Sequence, residues 1–330
     1  MTLIARARAG DEDAFRALTE PHRRELHMHC YRMLGSVQDA EDAVQETLIA
    51  AWTGLAGFRE NAAVRTWLYR IATNTCLNAL RAQRRRPAKA WNVPGVEPPE
   101  PTRLGEVPWL SPYPDPIDLP TDLPIGPEAH YQQIESISLA FIAALQLLPP
   151  RQLAVLVLRD VLGFQAAEVA DMLDTSIASA NGALTRARAG LTRARRSPRK
   201  PPPHAGSRQE RVVVTRFVRA YESADVPALL ALFSDDIFLS MPPMPHEYVG
   251  TAAVTGFMRC LLVPGRRYRL IPTCANYQPA FGAYLQRPDG TWHATGLFVA
   301  TLAADLICAL TRFEAAEFRW FGLAPQLQSE

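Results

Sequence analysis

LGSVQDAEDAVQETLIAAW, residues 34–52, is the stretch from which the fold can be read outward. Ser36 followed by Asp39 is a capping-box-like helix start, and Gly35 closes the helix before it, since glycine takes the left-handed backbone of a C-terminal cap without strain. Val37, Ala40, Val44, Leu48, Ala51, Trp52 and Leu55 then recur at helical spacing and form one apolar stripe. Asp39, Asp42 and Glu46 fall on another face, with Gln45 beside it. In the next stretch, FRENAAVRTWLYRIATNTCLNALRAQRRR (58–86), the spacing predicts a helix from about Val64 to Arg85. It is expected to bury Val64, Leu68, Ile71, Ala72, Thr75 and Ala79. At about 100° per residue, Trp67, Arg70, Asn74, Asn78, Arg81 and Arg85 gather on an adjoining outward stripe.

A second helical block lies further on, in LPPRQLAVLVLRDVLGFQAAEVADMLDTSIASANGALTRARAGL (148–191). A short helix (166–173), the turn Asp174-Thr175-Ser176 and a final helix reaching Arg196 form a helix-turn-helix pattern whose second helix is rich in arginine. Ile177, Leu184 and Leu191 are expected on its inner face; Ser179, Gly182 and Arg186 point the other way.

Between the two blocks, residues 91–127 hold 11 prolines in 37 positions. Proline removes backbone donors and biases its neighbour toward extended geometry, so this reads as a linker rather than an element, with Trp109, Leu110 and Tyr113 as possible anchors. A second break at 197–206 precedes a block that switches period. Helices at Val212–Ser223 and from Asp225 with Pro227 to Phe233 lead into runs near Ile237–Met241, Tyr268–Asn276, Phe281–Gln286, His293–Leu302 and Leu306–Phe313, which read as strands, with Pro288-Asp289-Gly290 as a hairpin turn. Helices followed by a meander of strands indicate α+β. The organisation is therefore multidomain: 1–90 helical, 91–127 linker, 128–197 helix-turn-helix, 198–207 linker, 208–330 α+β.

Charge follows the same divisions. Residues 1–90 carry 14 Lys/Arg against 10 Asp/Glu, residues 91–127 one against six, residues 128–200 nine against six, and residues 201–330 eleven of each. Two basic blocks thus flank an acidic spacer, a distribution suited to polyanion contact. No apolar run approaches the roughly 18 residues of a membrane span, and the N-terminus lacks the apolar core of an export signal. Five scattered cysteines without a CxxC pair fit reduced thiols in a cytoplasm. His22, His27, His29 and Cys30 do not make a metal site: His27 and His29 diverge on a helix, and no second cluster completes a tetrahedron.

The stretches 34–52 and 58–86 closely resemble region 2 of sigma-70 family factors, and 148–191 resembles their region 4, in the expected order and separated by a spacer. Without regions 1.1 and 3, the chain resembles the extracytoplasmic-function (ECF) class. The phrase PWLSPYPD (108–115) and the extra C-terminal block are similar to an actinobacterial subgroup, the sigma factor G-like proteins, whose tail is a SnoaL-like, NTF2-like α+β cone. The resemblance implies a promoter-specificity subunit whose partners are core RNA polymerase (β′ clamp helices and β flap) and promoter DNA, with no cofactor. Asp39, Asp42, Gln45 and Glu46 would dock on the clamp helices. Trp67, Arg70, Asn74, Asn78, Arg81, Arg84 and Arg85 would face the −10 element, Trp67 being either a base contact or a core anchor. Ser176, Ser179, Asn181, Arg186 and Arg188 are the candidates at the −35 element. Gly182 and Asp174 depart from the common pattern.

For the C-terminal block the resemblance implies a cavity, which Tyr277, Tyr284, Trp292 and His293 are candidates to line. No acid/base pair is evident there, so regulation by a small-molecule ligand, in place of or beside an anti-sigma partner, is expected rather than catalysis. Two rival readings remain from sequence: a helix-turn-helix regulator acting without polymerase, and an enzyme whose activity lies in 208–325.

Overall fold

In a computed structural model of the chain, which describes residues 2–58, 63–83, 91, 96–105, 109–115, 135–194 and 200–328, the molecule divides into two units. One comprises Met1–Arg86 with Phe141–Arg195, the other Pro87–Ala140 with Arg196–Glu330.

Caps set the helix boundaries of the first unit. Helices α1 (Leu3–Arg8) and α2 (Glu12–Leu34) start at Thr2 and Asp11, whose side chains accept from Ala5 N and Ala14 N. Gly35, at φ 73°, ends α2, and Ser36 Oγ accepts from Asp39 N at 3.2 Å to open α3 (Val37–Gly54). Helix α4 (Val64–Gln83) follows. It buries Leu68, Tyr69, Ala72, Thr73, Cys76 and Leu77. The buried stripe therefore differs from the sequence expectation, leaving Val64, Ile71, Thr75 and Ala79 half-buried. The reason is polar pairing inside the bundle. Thr73 Oγ1 lies 2.9 Å from His29 Nε2 and donates to Tyr69 O, which lets a threonine face the core where periodicity alone favours aliphatic residues.

Helices α5 (Leu139–Gln146, belonging here from Phe141), α6 (Pro150–Leu156), a π turn (Val157–Val161), α7 (Ala166–Met172) and α8 (Ile177–Ala194) complete this unit. Gln165 and Glu168 form a capping box at α7. The two helical blocks pack on each other. Tyr69 meets Phe164 edge to face at 5.3 Å, and Gln146 donates to Arg32 O at 3.2 Å. Gly35 suits this junction through its φ of 73°, and a Cβ there would also press to 3.0 Å from the Gln146 side chain.

In the second unit, α9 (Arg208–Glu222) and α10 (Val226–Leu230) precede all but the first strand of the sheet; Asp225 caps α10 through Ala228 N at 2.9 Å. Phe233, expected to end that helix, starts a strand instead. The strands are β1 (Arg103–Leu104), β2 (Phe233–Met241), β3 (Met244–Val249), β4 (Tyr268–Ala275), β5 (Gln278–Gln286), β6 (Trp292–Ala303), β7 (Leu306–Phe313) and β8 (Gln326–Leu327). Their order is β1-β3-β2-β7-β6-β5-β4, with β8 on β6. Helix α11 (Thr251–Leu261) joins β3 to β4. Phe217, Tyr221, Leu229, Tyr248, Phe257, Phe281, Phe298 and Leu310 belong to one core cluster between these helices and one sheet face.

The proline-rich stretch is in part an element of this unit. Strand β1 pairs antiparallel with β3, and Arg103 bridges Glu247. Tyr248 donates to Pro99 O at 2.7 Å, and Leu110 and Tyr113 are buried anchors. Fully buried Asn276 ties the same stretch down: its Oδ1 accepts from Tyr113 N at 2.8 Å, its backbone N donates to Tyr113 O, and its Nδ2 donates to Ile137 O. Asn276 and Tyr277 both take positive φ at the β4–β5 turn, a conformation asparagine tolerates better than most residues. Asp115 accepts from Tyr277 N, and burial raises its pKa to about 6.

Candidate nucleic-acid interface

The outward face of α4 is a polar row because the opposite face is committed to the bundle. Asn74, Asn78 and Arg81 are exposed, and Arg81 donates to Asn78 Oδ1 at 2.9 Å. Trp67 is half-buried with its ring 4.7 Å from Phe58, packed on Ala7, Ala14 and Leu55. This packing is what the anchor role requires, and its partial exposure leaves the base-contact role open. Beneath the row, His29 is fully buried, and desolvation drives its pKa down to about 3, so it is neutral in the folded chain.

Arg70 stands at the edge of the row with acidic neighbours. Its guanidinium lies 3.5 Å from Asp171 and 3.3 Å from Asp174, both on the helix-turn-helix block. Beside it, Arg65 pairs with Glu25 at 3.0 Å and lies over the rings of Tyr69 and Phe164. Arg70 thus neutralises carboxylates of the second block and does not stand open as Asn74 does.

The helix-turn-helix turn is built locally. Asp174 takes φ 47°, Thr175 N donates to Ala170 O, and Ser176 Oγ caps α8 through Ser179 N at 3.1 Å. Ala180, Leu184 and Ala187 are buried, while Ser179, Asn181 and Arg186 are exposed. Ile177, expected inside, is 49% exposed because it sits a turn ahead of the buried stripe. Arg188 holds Asp160 through two hydrogen bonds of 2.8 and 2.7 Å, which ties α8 to the π turn Val157–Val161 and occupies the guanidinium fork. Close packing needs Gly190, whose Cβ would meet Leu148 at 2.7 Å; Gly182 has no such neighbour closer than 3.5 Å.

On α3, Asp42, Gln45 and Glu46 are exposed and Asp39 is half-buried. Glu41, which the sequence reading did not single out, sits in the same patch: Gln45 donates to it at 3.5 Å, Arg23 at 3.2 Å, and His27 lies 3.6 Å away. Its signal was its i−4 spacing from Gln45. Arg84 and Arg85 lie outside the described residues.

The four C-terminal candidates are not brought together in the core. Tyr277 lies in the turn before β5 and Tyr284 near the strand's far end, where Tyr284 packs on Phe318 and donates to Ala324 O. Strand alternation puts Tyr284 on the face opposite Phe281 and Ala283, which are core residues. Trp292 lies under Arg269, while His293 bonds Thr291 and Gln326. Among the described residues no group of His, Cys, Asp or Glu could hold a metal ion, and no helix is long and apolar enough to cross a membrane.

The first unit thus offers an exposed acidic and amide patch, a row of Asn and Arg donors, and a capped helix bearing Ser, Asn and Arg. These groups suit a protein surface, a phosphate backbone and base edges respectively. Comparison with known proteins bears on the family of the chain rather than on these residues. Residues 18–86 match the model for Sigma-70 region 2, and residues 138–191 that for Sigma-70, region 4. The ECF RNA polymerase sigma factor SigG of Mycobacterium tuberculosis is 42% identical over 325 residues, 97% of this chain and 86% of that protein. The crystal structure of M. tuberculosis ECF sigma factor SigJ aligns with a TM-score of 0.61 at 23% identity, covering 94% of this chain and 99% of that one. An NTF2-like protein from Mesorhizobium loti covers 34% of this chain and 95% of its own, with a TM-score of 0.29.

Proposed function

The chain belongs to the sigma-70 family in its extracytoplasmic-function class, and from that premise we propose how its residues direct core RNA polymerase to promoters. Asp39, Asp42, Gln45 and Glu46, with Glu41 beside them, are the docking patch for the polymerase clamp helices. Asn74, Asn78 and Arg81 face the −10 element, with Arg70 joining once it leaves Asp171 and Asp174. Ser176, Ser179, Asn181 and Arg186 read the −35 element; Arg can pair with guanine and Asn with adenine, while Arg188 braces the helix. The observation that carries this reading is the presence of both sigma regions, in order, in a chain similar to SigG over 97% of its own length.

The role is initiation by capture. Unstacking a base costs a few kcal/mol, and binding the extruded base and backbone offsets it without nucleotide hydrolysis. Such a factor works where its polymerase is, in the cytoplasm. The α+β domain tunes activity through the stretch between the two sigma regions. Family membership, rather than the helix-turn-helix alone, argues against a regulator that binds duplex DNA without polymerase.

The test is association with purified core polymerase. Asp42→Ala with Glu46→Ala is expected to weaken binding about tenfold, through lost charge complementarity, with little change in thermal stability. Undiminished affinity would remove the patch from the interface.

A further inference from the structure

Arg312 stands in β7 on the core face of the sheet, opposite Phe298 on β6, and is 2% exposed. Its Nη2 donates to Thr295 O. Its Nη1 is buried without a hydrogen-bond partner among the described residues, and no described carboxylate forms an ion pair with it. A buried cation without a carboxylate is costly and is ordinarily neutralised or paired. Burial lowers its basicity, with Tyr221 and Glu314 opposing.

Room for this guanidinium is built in. A Cβ on Gly296 would come to 3.1 Å from both Nε and Nη2 of Arg312 and to 2.7 Å from Phe313 O. Tyr221 stands edge-on to Phe298 and Tyr268 in the same core cluster. The group closing the site comes from the proline-rich stretch: Trp91 lies over the guanidinium, 5.3 Å from ring centroid to Cζ, and edge-on to Phe257 at 5.9 Å. Its indole N–H is used elsewhere, on Val96 O at 2.6 Å. Among the described residues the guanidinium is therefore met by the Thr295 carbonyl and the π face of Trp91. The indole covers the guanidinium and leaves Nη1 unsatisfied.

We propose that Arg312 is the anion-binding group of a small-molecule site for a flat, aromatic carboxylate, and that Trp91 occupies this site as an intramolecular plug. The carboxylate would take Nη1, and the ligand's ring would replace the indole against Phe257. Ligand and plug cannot both be in place, so binding releases Trp91 from the α+β domain. Because Trp91 lies between the two sigma regions, its release changes the tether that joins them. This last step rests on the function proposed above; the binding site does not.

The experiment uses the full chain with benzoate as probe, benzamide as its neutral counterpart, and titration calorimetry. Trp91→Ala is expected to bind benzoate about tenfold more tightly than the parent chain, since the plug's occupancy is a conformational tax on apparent affinity. Benzamide is expected not to bind either protein. Arg312→Gln in the Trp91→Ala background is expected to abolish benzoate binding. Should that variant fail to fold, Arg312→Lys, which keeps the charge without the planar fork, is expected to weaken it about tenfold. Absence of benzoate binding by folded Trp91→Ala at about 10 mM, a concentration that reveals even millimolar affinity, would overturn the proposal. So would equal binding of benzamide, affinity unchanged by Trp91→Ala, or affinity indifferent to Arg312. Binding without any effect on transcription would overturn only the tether step, and failure of the chain to act with polymerase would leave the site standing.

Discussion

Arg70 and Arg312 place the same side chain in opposite settings, and the contrast separates the two units. Arg70 is partly exposed and lies beside two carboxylates that water also reaches. Arg312 is buried, faces aromatic rings and a carbonyl, and has no ion-paired carboxylate among the described residues. In the helical unit the polar groups proposed to act stand outside the packing, so changing them should alter function and spare the fold. In the α+β unit the polar groups are part of the packing, so changing them should alter both. The predictions below run from the largest effect to the smallest.

Phe217 is fully buried in the second unit, 4.9 Å from Phe281. Phe217→Ala should destabilise that unit by about 3–5 kcal/mol, through lost burial and the cavity left behind, measured by denaturant unfolding. Asn276→Ala should cost about 2–4 kcal/mol, because it strands Tyr113 N and Ile137 O and leaves alanine at positive φ. An effect under 1 kcal/mol would show that the proline-rich stretch is not held there.

His29 extends the comparison to pH. Its folded pKa of about 3 lies below the unfolded value of 6.5, so the unfolded chain binds the extra proton first. Its contribution is full above pH 6.5 and is lost as pH falls toward 3. Between pH 7 and 4.5 the loss should be about 2–3 kcal/mol at 1.36 kcal/mol per pKa unit. His29→Gln should lose correspondingly less over the same interval; parallel curves for the two proteins would contradict the assignment.

Outside the packing, Asn74→Ala with Arg81→Ala should reduce promoter-dependent transcription about 10- to 100-fold, equivalent to 1.4–2.7 kcal/mol, with stability changed by no more than about 0.5 kcal/mol. The smallest effect belongs to the Arg70 pairs. Asp171→Asn with Asp174→Asn keeps a side chain that tolerates positive φ and should change stability by no more than about 1 kcal/mol, less at high salt.

The parts of the fold legible in the sequence are those whose cause is local. Gly35 and Ser36 mark one helix junction, Asp174 the helix-turn-helix turn, and Pro288-Asp289-Gly290 the hairpin, each through backbone preferences within a few residues. Parts of the exposed rows were legible as well: Asp42, Gln45 and Glu46 on α3, Asn74, Asn78 and Arg81 on α4, and Ser179 and Arg186 on α8. What could not be read depends on distant partners. Strand β1 exists because Arg103 meets Glu247, 144 residues away, and the true inner face of α4 because Thr73 meets His29. Helix α11 and strand β3 carry no strong terminal signal apart from Gly250 and are shaped by packing on the sheet. Arg312 was visible only as one charge in an otherwise apolar strand, ICALTRF (307–313), and its neighbour Trp91 as one aromatic residue among prolines.

The most direct measurement is run-off transcription with purified core polymerase on genomic fragments, with and without the full-length chain. The expected result is initiation at discrete start sites only when the chain is present, lost when Asn74 and Arg81 are replaced by alanine. Stable association with core polymerase that produces no start site, or start sites indifferent to those two residues, would contradict the proposed reading of the first unit.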